Sequence, residues 1–353
     1  MTSDDVEVES VLTSMGMFII DENLYPVSWN RPSEYDILGG GGPYAIVGGR
    51  IAAGEKEGKR ITGIIDKGRD FPQSVGDQLD AWDTGIIYRE DNNRLTTRGQ
   101  NIYDENDIRD FKYKNDKKRI EVDDILNYDK LKSSRSFHLI CSIDRCHTII
   151  DKLNQHLNHQ PIYIYEPLPD DCKHENLMKL TQLLPKIDIF TPNLDEACEL
   201  VGINKKANEL IDNSYLKDIT QKFNQYLRLA NSGTVLRCGP LGCFIETIDK
   251  QTYNLPAYHL DQTKVIDVTG GGNSFCGGFV TSYILTHGDW LMSGILGNLV
   301  SGCVIERLGA PIKATDKEEW NGVSLKTRFD NYVNQNQKLL THYKLDKSKL
   351  NWI

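Results

Sequence analysis

The sequence predicts an α/β fold in which a mostly parallel central sheet is covered by helices on both faces. Three observations carry this. Apolar runs of strand length alternate with stretches of helical spacing along most of the chain, which is the pattern of βαβ units. At 353 residues the chain can bury one large core or two modest ones. Its 39% hydrophobic and 26% charged residues lie inside the range of folded globular chains.

The first strand is read at Met15–Ile20, after an acidic start, Met1-Thr2-Ser3-Asp4-Asp5-Val6-Glu7, with no apolar segment and so no secretory signal. Next comes Leu38-Gly39-Gly40-Gly41-Gly42-Pro43-Tyr44-Ala45. Gly40, Gly42 and Ala45, with Asp66 further on, imitate a dinucleotide fingerprint, although Pro43 is awkward in such a turn. A second strand is read at Ile61–Ile65. Gly58-Lys59-Arg60 lacks the spacing and the Ser or Thr of a P-loop, which excludes a Walker-type NTPase. Thr84–Glu90, the turn Asp91-Asn92-Asn93 and Arg94–Arg98 predict a hairpin outside the main sheet, either a surface decoration or a lid. Residues 100–130 and 204–213 are polar and weakly patterned, and are read as loops or insertions.

Further strands are expected at Phe137–Cys141, Ile162–Glu166, Ile187–Phe190, Thr234–Cys238 and Val265–Asp267. Leu177, Leu180 and Leu184 have helical spacing. From Trp320 onward, Phe329, Tyr332, Val333, Leu339, Leu340 and Tyr343 suit a helix packing on the body, so residues 316–353 are expected to form a helical extension to a main domain over 10–315.

The formal net charge of -9 argues against a non-specific binder of nucleic acid or anionic membrane. No run of about 18 apolar residues occurs, so no spanning helix is expected. The eight cysteines include no C-x-x-C pair. They are read as reduced core residues, which points to a cytoplasmic protein.

The strongest chemical feature is Val265-Ile266-Asp267-Val268-Thr269-Gly270-Gly271-Gly272-Asn273-Ser274-Phe275-Cys276-Gly277-Gly278-Phe279. A strand is expected to end near Asp267, and a helix to follow with Phe275, Phe279, Tyr283 and His287 four apart. The first N–H groups of a helix are unpaired and carry partial positive charge. Glycines there let a phosphate approach without meeting a Cβ. Gly270, Gly271 and Gly272 are therefore a candidate anion hole.

This loop resembles the D-x-T-G-A-G-D-x-F-x-G-G signature of the PfkB, or ribokinase-like, carbohydrate kinases. Asp267, Thr269, Gly270, Gly272, Phe275, Gly277 and Gly278 match it. Thr191-Pro192-Asn193-Leu194-Asp195-Glu196-Ala197 resembles the family's T-P-N-x-x-E-A motif, and Leu236–Phe244 its next nucleotide-side strand and turn. Gly16–Asp21, Gly63–Phe71 and Gly309-Ala310-Pro311 resemble other family segments, so the likeness spans roughly 10–315. It implies a three-layer α/β/α sandwich around a nine-or-so-stranded sheet, with a small β-hairpin lid near 84–98 that can pair two subunits. It implies ATP and Mg2+, and a K+ site near Asp267 and Thr269. Asn193 and Glu196 would lie near the phosphates and the magnesium water shell, Gly239 and Gly242 by the nucleotide, and Asp21, Gly41, Gly42 and Tyr44 by an unknown small-molecule acceptor. The segments Gly-Gly-Gly-Asn-Ser-Phe, Glu-Pro-Leu-Pro and Leu-Thr-Thr-Arg-Gly resemble the fungal maintenance-of-killer branch, which implies a part in propagating a cytoplasmic double-stranded RNA virus.

One departure dominates. The family's catalytic base is the Asp that ends G-A-G-D, and this chain has Asn273. An amide cannot take up the acceptor's proton, and loss of a general base costs roughly 10²–10⁴ in rate. Asn would still serve as a helix cap. Tyr44 or Ala45 stands where the family presents an Asn to the substrate, and Glu166 where an Asp is common. Three functions remain open: a nucleotide-binding protein with weak or lost sugar-kinase activity, an active ATP-dependent kinase with Asp21 or a water as base, and a dehydrogenase built on Gly40–Ala45.

Overall fold

The structure, a computed structural model, describes residues 9–106 and 108–353. The acidic stretch Met1–Glu7 lies outside the described residues. The strands used below are, in chain order, β1 (Leu12–Ser14), β2 (Ile19–Leu24), β3 (Glu34–Gly39), β4 (Ile61–Gly68), β5 (Ile87–Asp91), β6 (Arg98–Tyr103), β7 (Arg109–Tyr113), β8 (Ser136–Cys141), β9 (Ile162–Pro167), β10 (Ile189–Phe190), β11 (Gly233–Arg237), β12 (Cys243–Thr247) and β13 (Thr252–Leu255). Nine of them form the central sheet, in the order β13-β12-β11-β10-β9-β8-β1-β4-β5. The run from β11 to β5 is parallel, and β12 and β13 add an antiparallel edge.

Alternation along the strands builds the layers, because successive side chains leave a strand on opposite faces. Phe137, Leu139, Tyr163, Tyr165, Phe190 and Leu236 join one buried cluster, packed with the helices Ile143–His156, Leu194–Val201 and Asn213–Asn224. Ile164, Ile189, Val235 and Ile245 join the other, under the helices Gly41–Glu57, Gly271–Leu285 and Trp290–Val304. The Gly41–Glu57 and Gly271–Leu285 helices meet backbone to backbone, since a Cβ on Gly277 would lie 1.9 Å from the Ala45 carbonyl oxygen. All eight cysteines are buried and free. Among the described residues no helix is long and apolar enough to cross a membrane.

Four expectations change. The run Met15–Ile20 is not one strand: the chain leaves the central sheet after Ser14 and enters a second sheet at Ile19, with Gly16 packed against Gly42 between them. The hairpin at 84–98 does not form. Asp91 Oδ1 does accept from Asn93 N at 2.9 Å in a turn, but the flanking strands enter different sheets, β5 pairing with β4 and β6 with β2. Instead, β3-β2-β6-β7 make a separate four-stranded sheet, and β7 with most of β6 falls within 100–130, where loops or insertions are expected. Val265–Asp267 is no strand, since the Ile266 and Asp267 N–H groups both point to the Ile305 carbonyl at the end of a helix.

The segment after Trp320 packs on the main core. Phe329, Tyr332, Val333, Leu340 and Trp352 belong to that buried cluster, Tyr332 donates to the Pro256 carbonyl at 2.8 Å, and Trp352 to that of Ala52 at 2.9 Å.

Asp188 is buried between β9 and β10 and accepts from Tyr163 N at 2.8 Å. Burial raises its carboxyl to about 7, against the pull of the backbone N–H groups it accepts from. A pKa raised in the fold gives stability at low pH that is lost as pH rises through the folded value. Asp188→Asn is therefore expected to gain on the wild type by about 2–4 kcal/mol at pH 8 and by far less at pH 5. Urea titrations at the two pH values check this.

Candidate functional site

The site lies at the carboxyl ends of the parallel strands, where α/β sheets bind ligands. Alternation decides which side chains reach it. His138 on β8, Glu166 on β9 and Arg237 on β11 leave the sheet on the face covered by the Gly271–Leu285 helix, opposite to their neighbours Phe137, Tyr165 and Leu236.

That helix opens on Gly270, whose φ of 75° is left-handed backbone suited to glycine. No side chain caps the first turn. Asn273 does not cap it either: its Nδ2 donates to Glu166 Oε2 at 2.8 Å. Glu166 also forms an ion pair with Arg237, whose Nη1 is 2.8 Å from Oε1, and lies 3.2 Å from His138 Nε2. Gly16 N donates to Ser14 Oγ, and Ser14 Oγ is 3.0 Å from His138 Nδ1. His138 thus bridges Ser14 and Glu166 through its two ring nitrogens. Burial alone would raise the Glu166 carboxyl. The Arg237 charge and the hydrogen bonds from His138 and Asn273 outweigh it and hold the group at about 2.

Arg237 links this cluster to the second motif. Its Nε donates to the Thr191 carbonyl at 3.2 Å, and its Nη2 lies 3.4 Å from Glu196 Oε2. Asn193 and Glu196 cap the Leu194–Val201 helix reciprocally: Asn193 Oδ1 accepts from Glu196 N at 2.8 Å, and Glu196 Oε2 from Asn193 N at 2.7 Å. The Glu196 carboxylate that the family resemblance assigns to a magnesium water shell is thus shared by a backbone N–H and a guanidinium. Those residues fit magnesium poorly.

Beside this cluster is a cavity of about 250 Å³. Asn193, Arg237, Gly239, Gly242, Gly271 and Gly272 line its polar end, and Val265, Val268, Tyr258 and Ile305 are among the residues of the rest of its wall. Arg237 is pressed onto the first helical turn, since a Cβ on Gly272 would lie 2.1 Å from Nη1. The candidate residues of the nucleotide side therefore come together.

On the acceptor side Tyr44 is 2% exposed, and a Cβ on Gly270 would lie 2.1 Å from its ring. Burial and the charges of Asp21 and Asp267 push its hydroxyl pKa up. A Cβ on Gly41 would lie 3.2 Å from Asn273 Nδ2, so Gly41 borders the base position, whereas Gly42 turns to the Gly16 carbonyl. Asp267 Oδ1 accepts from Thr269 N at 2.9 Å, closing the loop before the helix. The dinucleotide alternative loses its acidic residue: Asp66 holds Arg89 with both oxygens, at 2.5 and 3.0 Å.

The sequence reading passed over Arg237, His138 and Ser14. The available signal was a cation at the end of an otherwise apolar strand, two residues before Gly239, and a lone histidine inside the apolar run Phe137–Cys141.

Comparison with known proteins agrees with this arrangement. The description "pfkB family carbohydrate kinase" matches residues 87–317. Protein MAK32 of Saccharomyces cerevisiae is 36% identical over 94% of both chains. In fold, the chain is similar to a ribokinase from Giardia lamblia, with a TM-score of 0.66, 16% identity and coverage of 93% of this chain and 99% of that one. It is also similar to a putative ribokinase II from E. coli in complex with ATP and magnesium, with a TM-score of 0.62, 14% identity and coverage of 92% and 99%. The large, mostly parallel sheet with helices around it is a ribokinase-like α/β fold, and the chain belongs to the pfkB family of carbohydrate kinases.

Proposed function

We propose that this protein binds a nucleotide in the cavity beside Gly271 and Gly272 and has weak or lost phosphate-transfer activity. The observation that carries the reading is the state of the base position. Asn273 cannot accept a proton, and its amide is already given to Glu166. Glu166 is the carboxylate at that spot, and at a pKa of about 2 it is too weak a base to help an acceptor hydroxyl at neutral pH. The buried Tyr44 ring takes space on the acceptor side where a substrate-binding amide is expected. Binding lacks neither of its own requirements, because an open helix N-terminus and a guanidinium both attract phosphate.

A fold kept for its liganded state would act through contact with other molecules. The implied role in upkeep of a cytoplasmic double-stranded RNA virus would then depend on the bound nucleotide rather than on a phosphorylated product. Thermal unfolding with ATP and ADP tests the binding half. Ligand at about 100 times its Kd is expected to stabilise the fold by about 2.7 kcal/mol. If neither nucleotide shifts the transition, the reading is wrong.

A further inference from the structure

The polar end of the cavity contains a fixed cation. Arg237 lies against Gly272 at the start of one helix and beside Glu196 in the first turn of another. Both helix N-termini converge on it, each worth about half a positive charge. Two carboxylates, Glu166 and Glu196, face one guanidinium and these two helix ends. Both carboxylates thus already have a cation and a helix end to offset them. An Asp at position 273 would have left the cluster one charge more negative, and Asn273 removes that charge.

We propose that this site takes the polyphosphate of a nucleotide without magnesium, with Arg237 as the phosphate-binding cation. The inference rests on the nucleotide-binding reading above and deepens it. A guanidinium presents five N–H groups in a planar fork. Three of its directions go to Thr191, Glu166 and Glu196, and the other N–H groups are left for phosphate oxygens at the cavity wall that Arg237 itself lines. Glu196 has its charge offset by Arg237 and by the Asn193 N–H. A divalent ion placed there would meet the guanidinium and both helix ends at short range, and like charges at such distances repel strongly in a partly buried site.

The test is calorimetric titration of the full-length protein with ATP, once with excess EDTA and once with magnesium. The expected result is binding in EDTA that is tighter than in magnesium by about threefold or more, because excess magnesium ties up the free polyphosphate that the site takes. Inorganic tripolyphosphate in EDTA is expected to compete. Arg237→Lys keeps a cation beside Glu166 but loses the fork, so its affinity in EDTA is expected to fall by about tenfold or more. Binding by the wild type with magnesium only would overturn the inference and leave the nucleotide reading standing. Binding in neither buffer would overturn both. An unchanged affinity in folded Arg237→Lys would remove Arg237 from the phosphate site.

Discussion

Asn273→Asp is expected to destabilise the protein, not to revive a kinase. The new carboxylate would lie where the Asn273 amide now donates, 2.8 Å from Glu166 Oε2. Two buried carboxylates at that distance cannot both ionise, so the pair must hold a proton. The variant loses a charge-assisted hydrogen bond and gains repulsion, for a cost of about 2–4 kcal/mol at pH 8. The sign with pH follows from linkage. The shared proton raises the pair's folded pKa, so the loss is smallest in acid and grows as pH rises through that value. Adding Glu166→Gln removes the repulsion and leaves Arg237 a carboxylate neighbour at 273, so the double variant is expected to recover more than half of the lost stability. Urea unfolding of the three proteins at pH 5 and pH 8 measures this. A fully stable single variant at pH 8 would mean that Asn273 and Glu166 are not coupled as described. The loss of the base is then held in place by its neighbour, because the direct reversal passes through a less stable protein.

Arg328→Ala is expected to cost about 3–5 kcal/mol, the scale for stranding one partner of a buried ion pair. Arg328 is 1% exposed and grips both oxygens of Glu306, at 2.5 and 2.8 Å, while also donating to the Trp320 carbonyl. Glu306 is further held by His259, which lines the cavity, and by Asn321. Burial would raise the Glu306 carboxyl, but hydrogen bonds from His259, Arg328 and Asn321 bring it to about 2. Its contribution to stability is present above the ordinary value of 4.5 and is lost as pH falls toward 2. The Leu325–Gln335 helix therefore braces the wall of the ligand cavity through Glu306 and His259. Circular dichroism melts should show a fall in Tm, with partial rescue in Arg328→Ala/Glu306→Gln. An unchanged Tm would make the C-terminal helix an appendage.

What was legible in the sequence is what the chain writes in consecutive residues. The glycine loop and the Asn193–Glu196 turn each carry their geometry within a few positions, because a helix start is a local object. The parallel sheet was legible because buried strands read as apolar runs. The Glu166 cluster was not, because its members come from three strands and a helix and meet only after the sheet has assembled. Glu166 and Asn273 are 107 positions apart. Asn273 could be read as missing a carboxylate, but not as donating to one. The hairpin was misread for a related reason. Asp91-Asn92-Asn93 is true turn chemistry, yet a turn does not say whether the strands on its two sides pair with each other. Here Tyr88 finds Ile65 in the central sheet, and Arg98 finds Ile20 in the four-stranded sheet.

The most direct measurement is chemical quench of wild-type protein saturated with ATP across a panel of sugars, nucleosides and vitamins, with ADP and phosphorylated acceptor quantified together. ATP is expected to be recovered intact with every acceptor, over times in which a working kinase at about 1–100 turnovers per second would have consumed it. Stoichiometric ADP and phosphorylated acceptor from the wild type, at such a rate with any acceptor, would contradict a fold kept for binding and would require a base other than residue 273.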